Sequence, residues 1–313
     1  MTAFVYPGQG AQYVGMGLDV AERYPAARGV FDAADEALGF GLSDMIFHGD
    51  GAELNLTENT QPALLTTCAA LSAVLVANGV GPDAAAGLSV GEYAAHVLSG
   101  TLGFTDAVRV ARKRGAFMQG EVPVGEGGMA AIFGLDPETV EWCCNQAPAR
   151  TGDASLVAEP ANFNCPGQIV ISGHTGAVGA ACEICKEKGA KRAVPLAVSA
   201  PFHCSLMRGA ADKLEAELSA IRLNAMRVPV YSNVTAERVT DASVAAGLLV
   251  RQVASPVRWE QCVRNMLAAG VSRFVEVGPG KVLAGFIRKI DVGAEVVNVF
   301  DAASMENALA RLV

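Results

Sequence analysis

The chain has 313 residues, of which 51% are apolar and 18% charged. That length and composition can bury the core of one large domain, or of a large domain carrying a small inserted one, and they exclude disorder and low complexity. With 24 Lys and Arg against 32 Asp and Glu the net charge is −8, the wrong sign for coating a duplex, so nucleic acid is excluded as a bulk partner.

In chain order, Thr2-Ala3-Phe4-Val5-Tyr6 reads as a strand stopped by Pro7-Gly8. The basic region and cleavage site of a secretory signal are not seen there. His48-Gly49-Asp50 reads as a polar loop, and Glu53 to Val80 as mostly helical. The uncharged stretch Gln61 to Pro82 is interrupted by Thr66, Thr67, Ser72, Asn78 and Gly79 and has no flanking Lys or Arg. A buried helix is expected, not a membrane span. Ala84 to Leu88 is a strand ending in a sharp turn, Gly91 to Leu98 a helix, and Ala107 to Met118 another.

The middle reads Met129–Phe133 strand, a helix opened by Asp136-Pro137-Glu138, strands near Ser155–Ala158 and Gln168–Ser172, a Thr175–Lys188 helix, and an Arg192–Val198 strand. This βαββαβ order is that of a ferredoxin-like unit. Arg273 to Val277 is a strong strand stopped by Gly278-Pro279-Gly280, and Val296 to Val299 is a further one. Short apolar runs alternating with helices predict an α/β fold with a mainly parallel sheet. The expected organisation is a large α/β-hydrolase-like domain, residues 1–126 and 200–313, with a small ferredoxin-like domain, 127–199, inserted.

Eight cysteines (68, 143, 144, 165, 182, 185, 204, 262) lack framework spacing, the pattern of reduced thiols in a cytoplasmic protein. Cys182-Glu-Ile-Cys185 lies in a helical pattern with no matching pair, so neither zinc nor redox chemistry is expected there.

Gly87-Leu88-Ser89-Val90-Gly91 is a G-x-S-x-G between strand and helix, the pattern of a nucleophile elbow. The following helix would aim free N–H groups and its positive end at the Ser89 hydroxyl, with Val90 N–H the first oxyanion donor. An ordinary tight turn is the bland alternative. A serine needs a base, and there are four histidines. His96 lies two helical turns beyond the elbow, His174 begins a helix, and His48 sits in a polar loop, which leaves His203, after Ala200-Pro201-Phe202 at the domain junction. No acidic third member is evident. Arg109, Arg112, Lys113 and Arg114 cannot share one helix face, so at least one should point inward and pair with a carboxylate or phosphate; a solvated basic face is the alternative. Gly8-Gln9-Gly10 lacks the dinucleotide spacing, and Gly278-Pro279-Gly280-Lys281 lacks the phosphate-loop spacing. Gly8 to Gln12 is better placed as a second loop offering backbone N–H groups at the sheet edge.

Eight segments together resemble the malonyl-CoA:acyl carrier protein transacylases over nearly the whole chain. They are Tyr6 to Gln12, Thr60 to Leu64, Gly87 to Tyr93, Arg114 to Gln119, Asn162 to Gln168, Pro201 to His203, Arg251-Gln252 with Pro256 to Trp259, and Glu276 to Lys281. The resemblance implies Ser89 as nucleophile, His203 as base, Arg114 as clamp for the malonyl carboxylate, and Gln9 and Val90 N–H groups as oxyanion hole. It also implies Gln252 orienting His203 through its carbonyl and Gln61 lining the pocket. Phe202, beside His203, should crowd a 2-methyl substituent. Many members have His where this chain has Leu88. The implied partners are malonyl-CoA and acyl carrier protein, with no metal or other cofactor, and a monomer is expected. The implied reaction belongs to fatty acid biosynthesis; a polyketide acyltransferase, a serine acyl hydrolase and a silent carrier-binding module stay open. Because an acidic chain must meet an acidic carrier, Lys191-Arg192 and Arg288-Lys289 are the expected docking pairs.

Overall fold

The structure, a computed structural model, describes residues 1–198 and 200–312. Ser199, the expected last residue of the small domain, and Val313 lie outside the described residues. Ten strands form two sheets: β1 Thr2–Tyr6, β2 Ala84–Gly87, β3 Gly127–Phe133, β4 Ala158–Cys165, β5 Gln168–His174, β6 Arg192–Pro195, β7 Val230–Tyr231, β8 Arg238–Val239, β9 Arg273–Val277 and β10 Glu295–Val299. The larger sheet has the order β10-β9-β1-β2-β7-β8. Its first five strands run parallel and only β8 is antiparallel. β1, β2 and β9 are almost wholly buried, as their continuous apolar runs require in a parallel sheet covered on both faces.

The smaller sheet is antiparallel, in the order β4-β5-β3-β6, with the Pro137–Thr151 and Thr175–Glu187 helices packed on it. This is the expected ferredoxin-like arrangement. Its own core brings Cys143 and Cys144 against Cys182 and Cys185, four buried and unbonded thiols. The C-x-x-C therefore does meet a second pair, though desolvation raises all four thiol pKa values. The smaller sheet is tied to the segment before the Trp259–Ala268 helix where Phe163 N–H donates to Val257 O (2.9 Å) and Val257 N–H to Ala161 O (2.8 Å).

Several boundaries differ from those read in the sequence. The strand expected at Ser155–Ala158 begins only at Ala158, because the Asp153 side chain caps Ser155 N–H and holds that segment in a turn. β6 ends at Pro195, not Val198, its last backbone bond to β3 running from Leu196 N–H to Met129 O (2.9 Å). The helix expected from Glu53 is two, Gly51–Leu54 and Thr57–Ala77. His48 ends a helix (Leu42–His48) and does not sit in a loop.

The Thr57–Ala77 helix is the one described helix long and apolar enough to cross a membrane, and 78% of its apolar window is buried in the core. It packs directly on the Phe104–Gly120 helix, and the contact depends on Gly115. A Cβ there would sit 2.5 Å from the Thr57 carbonyl oxygen and 2.7 Å from Glu58 Cα. Gly115→Ala gains about 1 kcal/mol of helix propensity, but overpacking against immobile backbone costs about 3 kcal/mol. The variant should therefore unfold at lower urea with an unchanged m-value; an equal or higher midpoint would show that the two helices do not need this contact.

Candidate active site

β2 delivers the chain into the elbow. Ser89 adopts φ +56°, a left-handed conformation that a non-glycine residue holds only under surrounding constraint. The flanking glycines are obligatory: a Cβ on Gly87 would collide with the Gly91 backbone, and one on Gly91 with the Tyr6 carbonyl. Val90 is the N-cap of the Gly91–Ser99 helix. Gly8 lies so close beneath Leu88 that a Cβ would sit 2.6 Å from the Leu88 carbonyl, which brings the Gly8–Gln12 loop against the elbow. The Asn233 side chain holds the turn from behind. Its Oδ1 accepts Ser89 N–H (2.7 Å) while its Nδ2 donates to Gly87 O (2.7 Å).

His203 is 3% exposed and also left-handed, φ +61°. Its Nε2 lies 2.7 Å from Ser89 Oγ, and its Nδ1 lies 2.9 Å from the Gln252 carbonyl oxygen. A carbonyl only accepts, so the proton sits on Nδ1 and the Nε2 lone pair faces the serine. Burial, and secondly the Arg114 charge, push the His203 pKa down to about 3, so the imidazole is neutral at pH 7.

Of the four clustered basic residues only Arg114 points inward. Arg109 bonds the Ala37 carbonyl, Arg112 bonds Asn59 and covers Phe40, and Lys113 pairs with Glu217. Arg114 is 1% exposed. Its Nη1 donates to Gln61 Oε1 (2.6 Å), and its Nη2 to Gln252 Oε1 (2.9 Å) and Ser89 Oγ (3.1 Å). The expected carboxylate or phosphate partner is missing among the described residues: every acceptor is a neutral oxygen, no acidic group lies within ion-pair distance, and Nε has no partner. Burial lowers its pKa, opposed by neighbouring Tyr93 and by the Glu92 carboxylate, which meets the guanidinium only through the Gln252 amide.

A cavity of about 290 Å³ opens over Ser89 and His203, with Gln61, the partner of Arg114, in its wall. Gln9, Gln61, Leu88, Ser89, Phe202 and His203 line it from the large domain and Asn162, Asn164 and Gln168 from the small one. Val282, Leu283 and Phe286 close one side. Their helix (Val282–Ile290) is anchored by buried Glu276 on β9, which accepts from Leu283 N–H (2.9 Å) and Ala284 N–H (2.8 Å). Arg288 and Lys289 are exposed on that helix, and Lys191 and Arg192 are exposed where β6 begins, with Arg192 stacked on Phe133. The remaining histidines stay away from Ser89. His96 is buried with its pKa lowered to about 4, His174 accepts Val157 N–H, and His48 is exposed.

Two buried polar residues at the site escape the motif reading. Glu92, three residues past Ser89, and Asn233 are both 0% exposed. Glu92 carried a signal, a carboxylate in the first turn of an apolar helix; Asn233, 144 residues from the elbow, carried none.

Residues 3–299 match the family model of the acyl transferase domain. The chain belongs to this acyltransferase family. The malonyl CoA-acyl carrier protein transacylase of Bacillus subtilis is 47% identical over 310 residues, covering 99% of this chain and 96% of the relative. The solved transacylase of Coxiella burnetii superposes with a TM-score of 0.95 at 39% identity, covering 99% and 97%. A malonyl-transacylase solved in complex with its type II PKS acyl-carrier protein gives 0.95 at 40% identity, covering 99% of both chains. These are the relatives that the eight motifs resemble.

With His203 as the expected base, its neutrality at pH 7 would set the acid limb. Protonation at Nε2 would silence the base, and that proton binds only near pH 3. The His203-dependent limb of kcat/KM for acylation should fall below about pH 5, well under the ordinary histidine pKa of about 6.5. His203→Ala should slow acylation by about 10²–10⁴-fold, whereas His96→Ala should not. A limb centred at 6.5 and lost in His203→Ala would contradict the buried, neutral base.

Proposed function

We propose that the acyltransferase moves a malonyl group from malonyl-CoA to the phosphopantetheine thiol of acyl carrier protein through a malonyl-Ser89 ester. The observation that carries this reading is the buried, under-neutralised Arg114 beside the nucleophile. It fits an acyl group that ends in a carboxylate, whereas a serine hydrolase for neutral esters has no use for it. The names of the similar transacylases agree. The setting is fatty acid biosynthesis; the likeness to a polyketide malonyl-transacylase keeps a polyketide carrier as the second reading.

Ser89 Oγ attacks the thioester carbonyl as its proton passes to His203 Nε2, and the Gln252 carbonyl stabilises the resulting imidazolium through Nδ1–H. The oxyanion is held by Val90 and Gln9 backbone N–H groups. The tetrahedral intermediate collapses, the C–S bond breaks, and His203 returns the proton to the leaving CoA thiolate. The carrier thiol then attacks the ester with His203 as base, and Ser89 leaves with the proton. Arg114 holds the malonyl carboxylate, which takes over donors now bound to Gln252 and Ser89, and Gln61 fixes the other side of the guanidinium. Phe202, 7% exposed and lining the cavity, crowds a 2-methyl group, which favours malonyl over methylmalonyl. Leu88 offers the cavity an apolar wall where many relatives carry histidine.

Residues 1–126 and 200–313 serve as the catalytic domain and 127–199 as the small domain that closes the cleft. Lys191, Arg192, Arg288 and Lys289 dock the acidic carrier at its rim. In support, Lys289 lies near enough to the β4–β5 hairpin to act on Cys165, and that hairpin's Gly167 bonds Gly134, which packs on Lys191. The eight unpaired cysteines support a cytoplasmic setting, and a monomer suffices for the site.

Arg114→Ala removes the charge pair, which is worth about 2–5 kcal/mol when desolvated, or roughly 30- to 5,000-fold in kcat/KM. The variant should lose malonyl transfer by that factor and keep or gain acetyl transfer. An unchanged malonyl-to-acetyl ratio would remove the clamp from the mechanism.

A further inference from the structure

Glu92 is fully buried on the first turn of the elbow helix and is not among the residues lining the cavity. A carboxylate in that position is costly unless it does something there. One of its oxygens, Oε2, accepts from Gln252 Nε2 at 2.5 Å and from Asn233 N–H at 3.1 Å. Each of these two partners in turn grips the reacting groups. Gln252 gives its carbonyl to His203 and its Oε1 to Arg114, and its Nε2 also reaches Ser89 O at 3.1 Å. Asn233 clamps the Ser89 N–H and the Gly87 carbonyl on either side of the strained turn.

We propose that Glu92 is a positioning residue for acyl transfer, its single Oε2 tying Gln252 and Asn233 together so that nucleophile, base and clamp share one anchor. The inference rests on the roles proposed above for Ser89, His203 and Arg114. What the anchor supplies is reach. Gln252 stands between Glu92 and Arg114, and desolvation raises the Glu92 pKa to about 7, so its charge is only partly present at neutral pH. A neutral amide oxygen at the same place could accept the same two N–H groups. A carboxylate one methylene shorter could not reach both, and displacements of about 1 Å at a reacting centre cost on the order of 10²-fold.

Reach and charge are separated by two near-isosteric variants read in single-turnover acylation by malonyl-CoA and by acetyl-CoA, with thermal midpoints recorded alongside. Glu92→Gln keeps reach and loses charge, and should acylate within about fivefold of the parent. Glu92→Asp keeps charge and loses reach, and should be slower by about 30- to 100-fold with both acyl groups, unlike Arg114→Ala, which discriminates between them. Combined with Gln252→Ala, which keeps the carbonyl on His203, Glu92→Asp should add little further loss, because both cut the same tie. The proposal is overturned if Gln is as slow as Asp, if Asp matches the parent, or if the two losses multiply. Should Glu92→Asp not fold, Gln252→Ala decides alone: unchanged acetyl transfer overturns the tie. Absence of any acyl adduct in the parent would instead refute the roles of the three reacting groups.

Discussion

A guanidinium sealed in a core, its hydrogen bonds going to amide and hydroxyl oxygens and none to a carboxylate among the described residues, is the constraint on which the rest of this site depends. An arginine is charged by nature, and moving the Arg114 charge out of water costs several kcal/mol that neutral acceptors repay only in part. On the clamp role proposed for Arg114, a ligand's carboxylate would make good that deficit, and substrate selection would be stored in the resting protein as an unsatisfied interaction. The same charge has a second effect, since it disfavours protonation of His203 and, with burial, keeps that imidazole neutral.

Holding such a group requires close packing. The Thr57–Ala77 and Phe104–Gly120 helices bring Gln61 to Arg114 because Gly115 lets backbone approach backbone. On the other side the strained turn at Ser89 persists because Gly87 and Gly91 leave room for it and Asn233 bonds both of its ends. Gln252 joins the halves, with its backbone carbonyl on His203 and its side chain on Arg114. Ser89, Arg114 and His203 therefore rest on a few shared hydrogen bonds, and a shift in any one of them is felt by the others.

Much of this was legible in the chain. Continuous apolar runs such as Phe274-Val275 mark buried parallel strands by themselves, and Asp136-Pro137 marks a helix start by cap chemistry that needs no tertiary context. The G-x-S-x-G was readable because its glycines answer a local steric demand. Four basic residues in six positions told that one must be inward, but the periodicity could not choose Arg114; the family motif did. Asn233 and the ties of Gln252 to Glu92 were illegible, since a side chain bonding across 144 or 160 residues leaves no local pattern. The strand at Ala158–Cys165 was misplaced because its polar residues line a cavity and so break the apolar alternation that marks a strand.

The central claim is that Ser89 carries the acyl group and hands it to a thiol instead of to water. Intact-mass spectrometry of the protein mixed with malonyl-CoA, then chased with phosphopantetheinylated acyl carrier protein, tests it most directly. The account predicts a single malonyl adduct, absent from Ser89→Ala, that survives in buffer and transfers to the carrier on the chase. Free malonate accumulating without an adduct, or an adduct that persists in Ser89→Ala, would contradict it.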